Sequence, residues 1–188
     1  MSIFEVIQDR RSIRTYTNQE VPTGVVEEIL EAARLAPSGS NTQPWRFIVV
    51  RSDEARARIV QACHNQQWMN QAPVHIVCIA DVQAQYSEVR ELSIDEHSTE
   101  PEVKRVIRCT AIAIEHLVLQ AQAIGLSTCW VAWFTQSEIR PVLAIPEDKY
   151  VVAVITVGYS ENRPAPRPRK TMNEIVRYES WDGIPEES

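Results

Sequence analysis

Residues 101–125 read PEVKRVIRCTAIAIEHLVLQAQAIG, and the placement of this segment decides the architecture. Pro101 suits the first turn of a helix, where a missing N–H costs nothing, and Gly125 suits the position after its end. Between them Val106, Ile107, Ala113, Ile114, Leu117, Val118 and Ala121 cover most of the helix circumference. A surface helix carries a single apolar stripe, whereas one with apolar residues nearly all round lies in the middle of a fold or in a subunit interface.

Outward from this helix the pattern changes in both directions. On the C-terminal side STCWVAWF (127–134) predicts a short extended segment, Thr135 and Glu138 form a capping box for another helix, and YVVAVITVGY (150–159) predicts a buried strand. On the N-terminal side VHIVCIA (74–80) predicts a second buried strand, a helix occupies about 53–64, and RFIVV (46–50) predicts a third strand from its β-branched and aromatic content. Ser2 and Glu5 form a capping box for a helix that runs from residue 3 to the arginines, with Arg10 and Arg11 in its last turn. Thr23 caps the next helix, where Val26, Ile29, Leu30 and Ala33 keep the i, i+3, i+4, i+7 spacing until Pro37 stops it. Helices and strands follow one another without regular alternation. That predicts an α+β fold, one domain over 1–188.

With 188 residues, 44% of them hydrophobic and 23% charged, the chain can bury one full core. A formal net charge of -6 argues against nucleic acid or an anionic membrane as partner, so any anion site must be local. No apolar run approaches the ~20 residues of a membrane helix, and the opening MSIFEVIQDRR carries charges where a signal peptide is apolar, so the expected location is cytoplasmic. Cys63, Cys78, Cys109 and Cys129 form no CxxC and lie mostly in apolar segments, as buried free thiols do. His64, His75, His97 and His116 are scattered, without metal-site spacing, and no metal is expected. The five glycines, at 24, 39, 125, 158 and 183, exclude GxGxxG and Walker loops. A bound phosphate would have to be held by side chains.

The side chains for that task are arginines. DRRSIRTYT (9–17) packs Arg10, Arg11 and Arg14 around Ser12, and RPRK (167–170) adds Arg167 and Arg169 near the other end. One reading is a solvated face with two cations on a helix dipole; the other is a clamp whose guanidinium forks match phosphate oxygens. PSGSNTQPW (37–45), dense in hydroxyls and amides, is either a ligand loop or a plain connection. Residues 81–100 are polar and poorly periodic, a surface excursion that is either a lid or an ordered segment. Residues 163–188 form a C-terminal arm, proline-broken and basic at its start. Tyr178 and Trp181 favour its docking on a partner subunit.

RRSIR (10–14), APSGSNTQPWRFIVV (36–50), AIGLSTCWVAWF (123–134) and VGYSENRPAPRPRK (157–170), in that order and over nearly the whole chain, resemble the flavin-dependent nitroreductase family. The resemblance implies a homodimer of α+β subunits, each a central mixed β-sheet flanked by helices, with FMN at the interface and the C-terminal arms exchanged. It implies NADH or NADPH as electron donor and nitroaromatics, quinones or similar small molecules as acceptors.

By resemblance, Arg10, Ser12 and Arg14 hold the phosphate and ribityl chain, Arg167 and Arg169 complete the phosphate site, and Arg11 faces the pyrimidine edge of the flavin. A cation ~4 Å from negative charge on that ring, at an effective dielectric of ~20, is worth about 4 kcal/mol before desolvation. Pro37, Ser38, Asn41 and Gln43 form a second wall supplied by the other subunit; Gln66 also reaches the cofactor; and the backbone of Cys129, Trp130 and Val131 faces the reactive edge. The protein itself supplies no catalytic acid, base or nucleophile.

Two positions depart from the family pattern. Cys109 stands where many relatives are acidic, and Ser127 replaces a glycine. Trp68, Trp130 and Trp133 either line an acceptor pocket or pack in the core. With no dinucleotide fingerprint, donor and acceptor are expected to alternate at one site, in ping-pong order. A flavin reductase, another specialised reaction on the same fold, or a noncatalytic flavin-binding regulator are the alternative readings.

Overall fold

A computed structural model describes residues 2–88 and 92–183. The centre is a four-stranded sheet in the order β1 (Trp45–Val50), β2 (Val74–Asp81), β4 (Lys149–Gly158), β3 (Ser127–Val131). All strand pairs are antiparallel, and a parallel contact comes from an isolated bridge between Ser12 and Thr128. The continuous apolar character of β2 and β4 is explained by their central places, covered on both faces. Ile76 and Cys78 join Ala153, Ile155 and Val157 in one layer, while Val77 and Ile79 join Val154 and Val151 in the other. That face assignment changes parity within β4 because a bulge lies between Ala153 and Val151, the partners of Cys78 and Ile79.

Helix α4 (Pro101–Ala123) lies between the sheet and α2 (Thr23–Arg34), with Ala113, Ile114, Leu117 and Ala121 fully buried. Each buried Ile or Leu there contributes about 1.5–3 kcal/mol. Gly125, at φ 84°, ends the helix: the Leu126 N–H donates to the Ala121 carbonyl (2.8 Å) and the Gly125 N–H to that of Gln122 (3.2 Å). A second apolar strip remains outside. Ile3, Val6, Ala32, Leu35, Leu119 and Ala123 line a groove of about 480 Å³ between α1 (Ile3–Asp9), α2 and α4. The helix is therefore buried in the middle of the fold on one side and borders an open apolar groove on the other.

The other layer comprises α3 (Asp53–Ala62), a 3-10 segment at Gln67–Gln71 and α5 (Gln136–Ile139). Residues 82–84 and 92–98 fold back against α4, where Val82 and Ile94 are buried with Val103 and Val106. Arg140 holds this stretch through the Ile94 carbonyl, and Glu96 accepts from the Gln136 backbone N–H. The arm is exposed over most of its length and forms α6 (Met172–Ile175) behind a Thr171–Glu174 capping box; residues 184–188 lie outside the described residues.

Four local expectations are corrected. Helix α1 ends at Asp9, so Arg10 is its C-cap and Arg11 lies beyond it rather than in the last turn. Arg11 nevertheless serves the helix end: its Nη1 donates to the carbonyls of Gln8 (2.5 Å) and Arg10 (2.9 Å). Thr23 is the first residue of α2 and makes no capping bond; Pro22 occupies the cap, its carbonyl accepting from Val25 and Val26. Helix α2 stops at Arg34, before Pro37, with Leu35 as its C-cap, still right-handed and donating its N–H to the Glu31 carbonyl at 3.1 Å. Helix α3 stops at Ala62, since His64 and Asn65 both turn left-handed at φ 53°.

His75, in β2, is fully buried; its Nε2 lies 3.0 Å from the Met69 carbonyl, and Nδ1 has no partner among the described residues. Burial, aided by nearby Arg56 and opposed by the Met69 carbonyl, lowers its pKa from 6.5 to about 4. Below pH 6.5 the unfolded chain takes up a proton that the folded one refuses, so stability is lost as pH falls from 6.5 towards 4. Denaturant titrations should show wild type losing about 2 kcal/mol more than His75→Gln between pH 7 and pH 5. Equal losses would show that His75 titrates normally in the folded state.

Candidate functional site

The bridge at Ser12 builds the site. The Ile13 N–H donates to the Thr128 carbonyl at 2.9 Å, which lays residues 12–13 along the outer edge of β3. Tyr16 anchors the segment from behind: its hydroxyl donates to the Ile13 carbonyl (2.8 Å) and shares a hydrogen bond with the Thr156 hydroxyl (2.7 Å). Burial raises the Tyr16 pKa well above the usual 10, so the hydroxyl keeps its proton. Its ring fits because residue 158 is glycine; a Cβ there would stand 2.8 Å from Tyr16 Cδ1 and 2.7 Å from Pro73 Cδ. Arg14 lies over the Trp68 ring, 5.5 Å from its centroid, within cation–π range.

The arm then crosses this edge. Arg10, Arg11, Ser12 and Arg14 with Pro164, Ala165, Pro166, Arg167 and Arg169 line a cavity of about 410 Å³. Five arginines line it and no acidic residue does, on a chain whose net charge is -6. The two basic clusters from opposite chain ends thus meet in one cavity. Such a place attracts an anion with several oxygen acceptors.

Cys129, Trp130 and Val131 continue β3 past the bridge. The strand pairs with β4 on one side, so backbone groups on its outer edge face away from the sheet. Cys129 and Val131 are buried, whereas Trp130 is 38% exposed. Burial raises the Cys129 thiol pKa, opposed by Ser12 and by the charges of Arg14 and Arg10. Among the described residues the four cysteines are free and no metal-binding cluster of His, Cys, Asp and Glu occurs.

The remaining predicted residues lie elsewhere. Pro37, Ser38, Asn41 and Gln43 precede β1, at the opposite edge of the sheet, three strand spacings or about 14 Å from β3. None of them lines the arginine cavity. Gln66 also stays outside it, half-buried, with Nε2 donating to the Cys63 carbonyl at 3.1 Å. Ser127 and Arg11 line a separate pocket of about 140 Å³ with Asn162 and Arg163. Cys109 packs in the core against the sheet side of α4. Trp133 is 65% exposed and stacks on His64 with ring centroids 4.4 Å apart. Tyr16, Thr156 and Gly158 were not legible as site-building residues, since their roles depend on contacts between segments 140 positions apart or more.

Comparison with known proteins places this geometry in context. The model of the nitroreductase family matches residues 7–159. An NADH dehydrogenase of Thermus thermophilus is 30% identical over 186 residues, covering 89% of this chain and 91% of its own. An FMN reductase [NAD(P)H] of Bacillus subtilis is 24% identical, covering 95% and 74%. The solved structure of an FMN-dependent nitroreductase from Clostridium difficile superimposes with a TM-score of 0.77 at 27% identity, over 95% of this chain and 99% of that one.

Proposed function

From the premise that the chain belongs to the nitroreductase family, we propose that it passes a hydride from NADH or NADPH, via FMN, to a nitroaromatic, quinone or similar small acceptor. The chain is an oxidoreductase with FMN as cofactor and NAD(P)H as donor. The observation that carries the reading is the carboxylate-free cavity where five arginines converge beside the open edge of β3.

The residues present fit the cofactor. Arg10, Arg14, Arg167 and Arg169 offer the forked donors that a phosphate dianion requires, and the Ser12 hydroxyl suits a ribityl oxygen. Flavin, when bound, supplies the hydride chemistry. The chain's own work is binding and orientation. Ser12 and Ile13 are held against β3, the backbone of Cys129–Val131 lines the reactive edge, and the Arg11 charge favours negative charge on the ring.

The second wall, Pro37, Ser38, Asn41 and Gln43, belongs to a partner's site in this reading, and Gln66 approaches from its own subunit. Three features support a homodimer: the separation of the two walls across the sheet, the apolar groove on α1, α2 and α4, and the exposed Ile175 and Trp181 of the arm. In that assembly the described part of the arm, 163–183, wraps the partner. Among the described residues no helix is long and apolar enough to cross a membrane.

The purified protein should show flavin absorbance bands that bleach on anaerobic addition of NADH or NADPH and return with a quinone or nitroaromatic. Initial rates should give parallel double-reciprocal lines. A colourless protein that takes up no FMN defeats the cofactor site; bound flavin that neither donor bleaches defeats the enzyme; intersecting lines defeat the shared site.

A further inference from the structure

The loop before β1 holds conformations that L residues rarely adopt: Ser40, Asn41 and Gln43 are left-handed, at φ 52°, 54° and 47°. Much of its hydrogen bonding closes within itself. The Ser38 hydroxyl accepts from the Gln43 N–H (2.9 Å), the Ser38 carbonyl from Asn41 (3.0 Å), and the Gly39 carbonyl from the Thr42 hydroxyl (3.0 Å). Such bonds set the shape of a loop without setting where it sits.

A tie to the rest of the fold comes from the excursion after β2. The Thr42 hydroxyl shares its one proton between the Gly39 carbonyl and Gln85 Oε1, 3.2 Å away, and Gln85 Nε2 lies 3.6 Å from where a Cβ on Gly39 would stand. Gln85 is itself held on both sides. Its N–H donates to the Val82 carbonyl (3.1 Å), and its Nε2 donates to the Tyr86 hydroxyl (3.2 Å), which accepts in turn from Arg105 of α4 (3.0 Å). A chain of contacts therefore runs from the central helix through Arg105, Tyr86 and Gln85 to Thr42.

We propose that Gln85 is a positioning residue for the Pro37–Gln43 wall, setting that wall against the flavin of the partner's site. The proposal rests on the reading of this loop as part of an FMN site. Replacing Gln85 lets the loop drift without unfolding the protein, because the loop's internal bonds survive.

FMN titration of the full chain tests it. Thr42→Val and Gln85→Leu should each weaken FMN about fivefold, the value of one neutral hydrogen bond. The double variant should lose less than the product of the two single losses, since both substitutions remove the Thr42–Gln85 bond although each also removes one of its own, to Gly39 or to Tyr86. Gln85→Glu, which keeps an acceptor for Thr42, should retain wild-type affinity. The thermal midpoint of the flavin-free protein should stay within about 2 °C of wild type, as a surface change does. A purely structural role would lower that midpoint and leave FMN affinity intact. Unchanged affinity in both single variants, or multiplying losses in the double, overturns the proposal while the wild type still binds FMN. A wild type that binds no FMN overturns the functional reading and this inference with it.

Discussion

Replacing Arg10 and Arg169 together by alanine should strip FMN from the protein, lowering affinity by about 10²–10⁴-fold. Charge-assisted hydrogen bonds contribute ~1.5–3 kcal/mol each, and two are removed. Both side chains line the same cavity although 159 positions separate them, and neither is in the apolar core. Folding should therefore be preserved, with far-UV circular dichroism unchanged. The measurement is FMN fluorescence during titration of the purified variant. Wild-type affinity in the double variant would defeat the phosphate assignment, whatever the other arginines do. Added salt should weaken FMN binding more in wild type than in the variant and so narrow the loss, because screening weakens exposed guanidinium–phosphate attraction.

The largest stability effect is expected at Gln136→Leu, about 3 kcal/mol and roughly 10 °C in the melting midpoint. Gln136 is 2% exposed, and its amide substitutes for a strand beside β4: Nε2 donates to the Val151 carbonyl (2.9 Å) while Oε1 accepts from the Val151 N–H (2.8 Å). Val151 needs such a partner because β3 ends at Val131, opposite Val154, and the bulge follows. Leucine fits the volume but leaves a buried N–H and C=O unpaired, at about 1–3 kcal/mol each. It also frees Arg140, whose Nε donates to Gln136 Oε1 at 3.3 Å and whose guanidinium holds Ile94. Denaturant unfolding should show the loss, and Gln136→Glu, which keeps one acceptor, should fall between. A change below about 1 kcal/mol would mean that Val151 finds another partner.

Much of the fold was legible because it depends on local pattern. The continuous apolar runs marked β2 and β4, the caps at Ser2 and Thr135 and the Pro101–Gly125 bracket marked helices, and each is satisfied within a few residues of itself. Thr23 misled because a capping residue type is also acceptable inside the first turn, and Pro22 took the cap. The bulge in β4 left no trace in a stretch of uniformly apolar residues, where a change of parity changes no residue type.

At the site, the residue types were readable and their convergence was not. A sequence with no glycine-rich phosphate loop and two arginine clusters determines that side chains must hold any phosphate, and four motifs in order determine the family. Tertiary structure decided that the clusters share a cavity. One hydrogen bond from Ile13 to Thr128, a tyrosine wedged against Gly158, and an arm crossing β3 bring together charges that polypeptide spacing alone leaves apart. It also decided that Pro37–Gln43 stands at the opposite sheet edge, where the Thr42 hydroxyl meets Gln85. Strand order and long-range contacts arise from burying both faces of one sheet, a requirement on the whole chain that no short stretch of residues encodes.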